Sequence, residues 1–514
     1  MPDERPHSTL PDERAPLVRE LIPPPDPADA CERLAALPDR LFLDSATPGT
    51  RLGRYSFLAA DPIAVLRGKG AQATIEDRLR GETAVIEGDT LAALRARLAP
   101  HRTARIPELP PFQGGAAGYI AYDWGRTLET LPAPRFDDLA IPDLVLGVYD
   151  WVIAWDHAVG RAWLISTGMP ETDAAARRAR AAERADFVME CLTRAECEGD
   201  DHGERERGAA SRESPPLDSP LTPPSFAVTH GHFDPHLALR SSFRHDAYLD
   251  AVARVREYVL AGDIFQANLS QRFEAPLGES PWSLYRRLRT RNASPFAAFL
   301  DFADVAVLSA SPERFLLVDA GGAVETRPIK GTRPRGLGPE HDAALGLALT
   351  ESAKDRAENL MIVDLMRNDL SRVCAPGTVR VPELFALERY ATVHHLVSTV
   401  VGQLAPGTDA LDLVRATFPG GSITGAPKVR AMEIIAELEP SERGVYCGSV
   451  GYFSVTGDLD TSIAIRTAVA LGDRVYFSAG GGIIADSDPE QEYRETLDKA
   501  RGMVEALKAV DSSQ

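Results

Sequence analysis

Beyond about residue 240 the hydrophobic pattern switches between helical and strand periods without settling into a strand–helix–strand rhythm. Helical spacing predicts helices over 246–261, 281–290, 342–367, 409–416, 426–438 and 489–508. Period-two alternation and β-branched content predict strands over 264–273, 305–310, 314–318, 323–330, 377–381, 446–454, 461–470 and 474–479. Strands follow strands directly, so the pattern argues against a doubly wound parallel sheet and for an α+β fold with a large, mostly antiparallel sheet system. No 20–50-residue period recurs, which excludes a solenoid.

The N-terminal side has a different texture. Residues 1–16 repeat Pro-Asp-Glu-Arg and read as a disordered tail. A first folded part is expected over 17–194, with strands at 40–45 and 54–62, a hairpin at 144–155 and 161–166, and a charged amphipathic helix at 171–192. Residues 113–123 are strand-like but carry Gly114, Gly115 and Gly118, which marks close backbone approach or a sharp bend. A Glu/Arg/Gly/Ser stretch and a Pro cluster make 195–240 the clearest linker, and 241–510 the second folded part.

The formal net charge of −19 argues against a nucleic-acid partner. No apolar run is long enough to cross a bilayer, and Asp301 and Asp304 interrupt the longest, Phe296 to Leu308. With no apolar signal segment, a cytoplasmic protein is expected. The five cysteines (Cys31, Cys191, Cys197, Cys374 and Cys447) lack metal-type spacing and read as reduced thiols.

Several charges stand where apolar or small residues belong. Glu358 shares a helix face with Met361, Ile362 and Leu365, a costly position unless a cation or metal meets it. A structural ion pair with an Arg would explain it equally. In the last helix, capped by Asp488 and Pro489, Glu492, Glu495 and Lys499 form one stripe beside the core face. Carboxylates so spaced suit Mg²⁺, although alone they also read as solvated surface. Gly480, Gly481 and Gly482 precede that helix and read either as an anion-binding backbone run or as a tight β-to-α turn. Arg466 lies in a predicted strand on the face with Ala464 and Ala468, where small neighbours leave room for a carboxylate ligand or a structural partner. The run 419–428, with Ser422 and Thr424, is a polar Gly-rich lead into a helix, but it lacks the Gly-Lys-Ser/Thr order of a nucleotide-phosphate loop. Lys330, in Pro328-Ile329-Lys330-Gly331-Thr332, reads alone as a surface charge.

Taken in order, Ser311–Glu313, Pro328–Thr332, Ala357–Leu365, His394–Ser398, the 419–430 stretch, Ile463–Thr467 and Asp488–Lys499 resemble the motifs of the chorismate-utilising enzymes. The resemblance covers 17–510 and is strongest over 246–508. It implies a large antiparallel β-sandwich with helices outside, and chorismate as substrate. Family members that add water have a Lys as base where this chain has Gln266, and Gln cannot take a proton. Among the amine-adding members, those that aminate C2 resemble Pro-Ile-Ala-Gly-Thr at the lysine motif. Those that aminate C4 resemble Pro-Ile-Lys-Gly-Thr, as here. The resemblance therefore implies amination at C4, with Lys330 as a covalent nucleophile held partly neutral.

It further implies Glu313 as general acid and His395 close to the ring. Glu358, Glu492 and Glu495 would form the Mg²⁺ shell. Gly331, Thr332, Ser422, Tyr446, Arg466, Lys499 and Gly480–Gly482 would hold the substrate. Leu43, Asp44 and Ser45, with Pro295 and Phe296, resemble a family tryptophan site, with Asp44 in place of the commoner Glu. No cysteine stands in a Gly-x-Cys-x-Gly elbow, so ammonia is expected from a separate glutamine amidotransferase subunit or from free ammonium. The alternatives are C2 amination, with Lys330 incidental, and a non-catalytic tryptophan-sensing subunit.

Overall fold

A computed structural model describes residues 14–193, 226–228, 233–303, 305–390 and 393–508. The expected tail is described only from Arg14, and most of the expected linker 195–240 lies outside the described residues. Two large sheets, of thirteen and twelve strands among the described residues, carry the fold, and every strand pair in them is antiparallel. Both sheets draw strands from either side of residues 194–225. In the first, Arg40–Asp44 pairs with Phe296–Phe302; in the second, Gly115–Ile120 pairs with Ser449–Ser454.

The two sheets pack face to face. Leu41, Phe57, Ala298 and Val307 of the first share one buried cluster with Ala117, Tyr119, Val450 and Tyr452 of the second. Phe112 bridges them, stacked on Tyr452 at 4.7 Å and edge-on to Phe57 at 5.7 Å. Helices cover the outer faces, including His245–Ala261, Pro281–Arg291 and Pro489–Leu507 on the first sheet and Ala353–Ser371 and Ala410–Thr417 on the second. This is the α+β sandwich expected from the sequence. The glycines at 113–123 mark close approach: a Cβ on Gly118 would stand 2.0 Å from the Val145 carbonyl oxygen.

Several element boundaries differ from the sequence reading. The helix expected over 342–367 is two helices, Pro339–Glu351 and Ala353–Ser371, and Ser352 caps the second by accepting from Asp355 N. The strand expected over 461–470 is broken: Leu459–Ile463 belongs to the second sheet and Thr467–Leu471 to the first. A second sheet change runs beside it, from Val305–Ser311 in the first sheet to Arg314–Val318 in the second. The two crossings are tied by Ile463 N to Glu313 O at 3.0 Å, Ala310 N to Arg466 O at 3.0 Å, and the Ser311 hydroxyl to Ile463 O at 2.6 Å. Glu313 and Arg466 therefore sit on adjacent seams between the sheets, where the chain bends inward instead of continuing a ladder.

Candidate active site

The lysine motif forms an edge strand of the second sheet, Ile329–Pro334, paired with Val393–Gln403. Ile329 opposes Val397 and Thr332 opposes His395, so three steps on one strand match two on the other. Lys330 and Gly331 occupy this bulge, and Gly331 has φ +88°. A Cβ there would meet Leu349 at 2.8 Å and Asp355 at 3.0 Å, so the position requires glycine. A bulge re-aims the side chain beside it, and here that residue is Lys330.

Part of the Lys330 side chain borders open space, yet desolvation of its amine is the dominant influence and lowers its pKa from the usual lysine value. Glu358, Glu313 and Glu495 oppose that shift and Lys499 adds to it, so the amine feels the charge of these four groups. Glu313 is 4% exposed, and burial raises its carboxyl to about 7, against the pull of a hydrogen bond from Ser422 and the charge of Lys330. Glu313 can therefore hold a proton near neutral pH beside an amine that releases one easily.

Three carboxylates lie toward the last helix. Burial raises Glu358 and Glu492 above the usual range. Glu492 accepts from Ser487 at 2.7 Å, while Glu358 has no hydrogen-bond partner among the described residues. Glu495 pairs with Lys499 at 2.7 Å, and Lys499 also donates to Gly480 O at 2.8 Å. A Cβ on Gly481 would lie 3.1 Å from Glu492 Oε2 and 3.4 Å from Glu495 Oε1, so this glycine leaves space for both carboxylates. Among the described residues no three acidic, His or Cys side chains converge as a closed metal cage. The oxygen donors, with Glu358 unpartnered, fit the one or two carboxylates that Mg²⁺ takes alongside substrate oxygens and water.

The triple glycine is neither a turn nor a helix lead. It continues the strand Arg474–Ile483, paired with Gln266–Pro276, and the helix begins only at Pro489. Glycine is needed at Gly482 because the Gln266 amide nitrogen lies 2.0 Å from where a Cβ would stand. Arg466 is likewise not within a strand. It has φ +50° at the sheet change, and desolvation lowers its pKa with no carboxylate among the described residues paired to it. A half-buried, desolvated guanidinium so placed is available to a ligand carboxylate.

His394 and His395 lie inside the strand Val393–Gln403. His394 bonds Asp342 at 2.8 Å, and Asp342 is itself held by Arg335. His395 Nδ1 is 2.9 Å from the Thr332 hydroxyl, and burial together with Arg466 pushes the ring down to about 3, so it is a neutral hydrogen-bonding group. Thr424 spends its hydroxyl on Gly420 O at 3.0 Å, so of the two hydroxyls in the 419–428 run only Ser422 reaches the site. Tyr446 is buried near Arg443, whose guanidinium lies 5.9 Å from its ring.

Arg443 is a buried cation the sequence reading passed over. It pairs with Glu439 at 2.7 Å and donates to Asn268 O at 2.7 Å and Ile423 O at 3.0 Å. The i,i+4 spacing of Glu439 and Arg443 was visible, but both lie in the connection after the helix Lys428–Leu438, where such spacing carries no face information.

Leu43, Asp44, Ser45, Pro295 and Phe296 do line one cavity, together with Tyr55, Phe57 and Tyr452. Asp44 is not free there: its buried carboxylate takes Arg289 at 2.7 Å and the Tyr285 hydroxyl at 3.2 Å. The Ser45 hydroxyl donates to Tyr55 O at 2.6 Å.

The model of the chorismate binding enzyme family matches residues 38–505. The chain belongs to the chorismate-binding enzyme family. Aminodeoxychorismate synthase component 1 of Escherichia coli is 42% identical over 477 residues, covering 92% of this chain and 94% of that protein. Anthranilate synthase component 1 of Cereibacter sphaeroides is 41% identical over 474 residues, covering 90% and 88%. The crystal structure of anthranilate synthase component I from Streptococcus pneumoniae superposes with a TM-score of 0.71 at 32% identity, covering 88% of this chain and 92% of that one. The chorismate-binding fold thus extends over both sides of the sequence, as both sheets require. Among the described residues no helix is long and apolar enough to cross a membrane.

The raised Glu313 carboxyl has a consequence for stability. Below about 4.5 it is neutral in both folded and unfolded chains; between there and about 7 only the unfolded chain gives up its proton, so folding weakens as pH rises through that window. Glu313→Gln should therefore melt progressively higher relative to the parent as pH rises through this window, by differential scanning calorimetry. A gap that does not change with pH would contradict the assignment.

Proposed function

We propose that this chain aminates chorismate at C4, giving 4-amino-4-deoxychorismate, the precursor of para-aminobenzoate and folate, with ammonia from a separate glutamine amidotransferase component in the cytoplasm. The observation that carries this reading is a desolvated Lys330 amine beside a Glu313 carboxyl raised to about 7. The similarity to component 1 of aminodeoxychorismate synthases supports it.

In the first step the neutral Lys330 amine attacks C2. The two conjugated ring double bonds shift together, the C4–O bond breaks, and the hydroxyl leaves as water with the Glu313 proton. The lysine nitrogen sheds its extra proton. Ammonia then attacks C4 and gives up its extra proton, the two double bonds shift back, and the lysine nitrogen takes up a proton as it leaves C2 as the free amine. One hard substitution becomes two easier ones, and the nitrogen ends where the hydroxyl was. Arg466 faces a substrate carboxylate, with Thr332 and His395 as neutral hydrogen-bonding neighbours. Glu358, Glu492 and Glu495 would hold Mg²⁺, which neutralises substrate carboxylate charge when bound. Gln266, unable to act as a base, leaves water unactivated.

The test is product identity. Purified protein with chorismate, Mg²⁺ and ammonium should yield a product that a 4-aminobenzoate-forming lyase converts. Direct release of fluorescent 2-aminobenzoate would instead establish C2 amination. Lys330→Ala should lower C4 amination by about 100-fold or more, the scale of one lost reacting group; an unchanged rate would remove the covalent role. Glu495→Ala should shift the Mg²⁺ titration to higher concentration, and an unchanged titration would contradict the metal role.

A further inference from the structure

The short turn Tyr122–Thr127 brings two polar residues, Tyr122 and Asp123, to the wall of one small cavity that Arg443 also lines. Asp123 is 6% exposed; among the described residues its carboxylate receives only the Gly444 amide, at 2.8 Å, and has no ion-pair partner. Tyr122 is 6% exposed and its buried hydroxyl has no hydrogen-bond partner. Both line a cavity of about 30 Å³, room for one or two water-sized molecules.

Lys69 and Arg126 favour the Asp123 charge from a distance without pairing with it, and Glu442, which lines the same cavity, is itself held above the usual carboxylate range by burial and by Asp123. Lys69 is already divided among Asp137, Asp143 and Glu442, at 2.9, 3.0 and 2.7 Å. Arg443 pairs with Glu439 and two backbone carbonyls. Arg126 donates to Pro132 O at 2.7 Å and stands 4.0 Å from Glu442. A buried carboxylate without a counter-charge calls for a cation, and an unpaired hydroxyl beside it offers that cation a second acceptor.

The cavity is also next to the site. The Arg443 guanidinium lies over the Tyr122 ring at 4.6 Å and 5.9 Å from the Tyr446 ring. The same guanidinium bonds Ile423 O, next to Ser422, whose hydroxyl bonds Glu313. The chain of contacts Arg443, Ile423 O and Ser422 therefore links the cavity wall to Glu313.

From this juxtaposition of a buried unpaired carboxylate, an orphaned hydroxyl and a water-sized cavity, we infer that Asp123 and Tyr122 form a binding site for ammonium, the protonated form of the co-substrate. The inference rests on the amination reading. Ammonium is water-sized, carries the missing charge and donates hydrogen bonds to both groups. Burial raises the Asp123 carboxyl above the usual carboxylate range, so the tests below are run at mildly alkaline pH to keep it ionised.

Two readouts separate this site from the reading it rests on. In ammonium-dependent amination, Asp123→Asn should raise the ammonium KM about tenfold, the scale of one lost charge-assisted hydrogen bond, leaving the chorismate KM and the rate at saturating ammonium within twofold. Tyr122→Phe, which keeps the ring and removes only the hydroxyl, should raise the ammonium KM by a smaller factor, and it carries the test if Asp123→Asn does not fold. Independently of activity, the parent protein should melt higher in ammonium chloride than in sodium or potassium chloride at equal ionic strength, and Asp123→Asn should lose that difference. An unchanged ammonium KM in both variants would overturn the inference. So would equal melting in all three salts, or an equal rise with potassium, which would mark a general monovalent-cation site. If the parent forms no amine, the amination reading fails, while the melting comparison still decides whether the cavity takes ammonium.

Discussion

The site depends on keeping an amine in a desolvated place. Taking an ammonium out of water is unfavourable, and the chain meets that constraint by surrounding Lys330 with Glu358, Glu313 and Glu495. The same burial that pushes Lys330 toward neutrality pushes Glu313 and Glu358 toward their protonated forms. One physical cause therefore moves both groups toward the protonation states that the proposed nucleophile and proton donor need. The bulge at Lys330–Gly331 makes the placement possible, because a regular edge strand would have kept the pairing with Val393–Gln403 in step and given the lysine a different aim.

The sandwich supplies the rest. Two stretches of chain change sheets side by side, and their seams carry Glu313 and Arg466. At such a crossing the backbone leaves the ladder, so a charged side chain can enter the interior without displacing strand packing. Around these seams converge the edge strand with Lys330 and Thr332, the strand with His395, and the glycine-lined end of Arg474–Ile483 against the carboxylates of the last helix. No single segment contains the site, which accounts for its being spread over nearly 190 residues of sequence, Glu313 to Lys499.

Much of this was legible in the chain itself. The mixed periodicity gave the α+β class, and the misplaced charges Glu358, Glu492 and Glu495 and the order of motifs marked the site. What local pattern could not show were positions where tertiary register overrides it. Ile463 to Ala468 alternates without interruption across a break, because both flanking strands bury the same residue types. Gly480–Gly482 reads as a turn because glycine is usually a breaker, yet it is a strand whose side-chain space belongs to Gln266, Glu492 and Glu495. Asp44 looked available to a ligand, and only the fold brings Arg289 and Tyr285 onto it. The Ser352 cap, by contrast, was readable from Ser352 and Asp355 three residues on.

The most direct measurement is intact-protein and peptide mass spectrometry after acid quench of the protein with chorismate and Mg²⁺ in the absence of ammonium. The account predicts an adduct with the mass of chorismate less one water on the peptide bearing Lys330, cleared when ammonium is added. Sustained C4 amination with no such adduct at any quench time would contradict it.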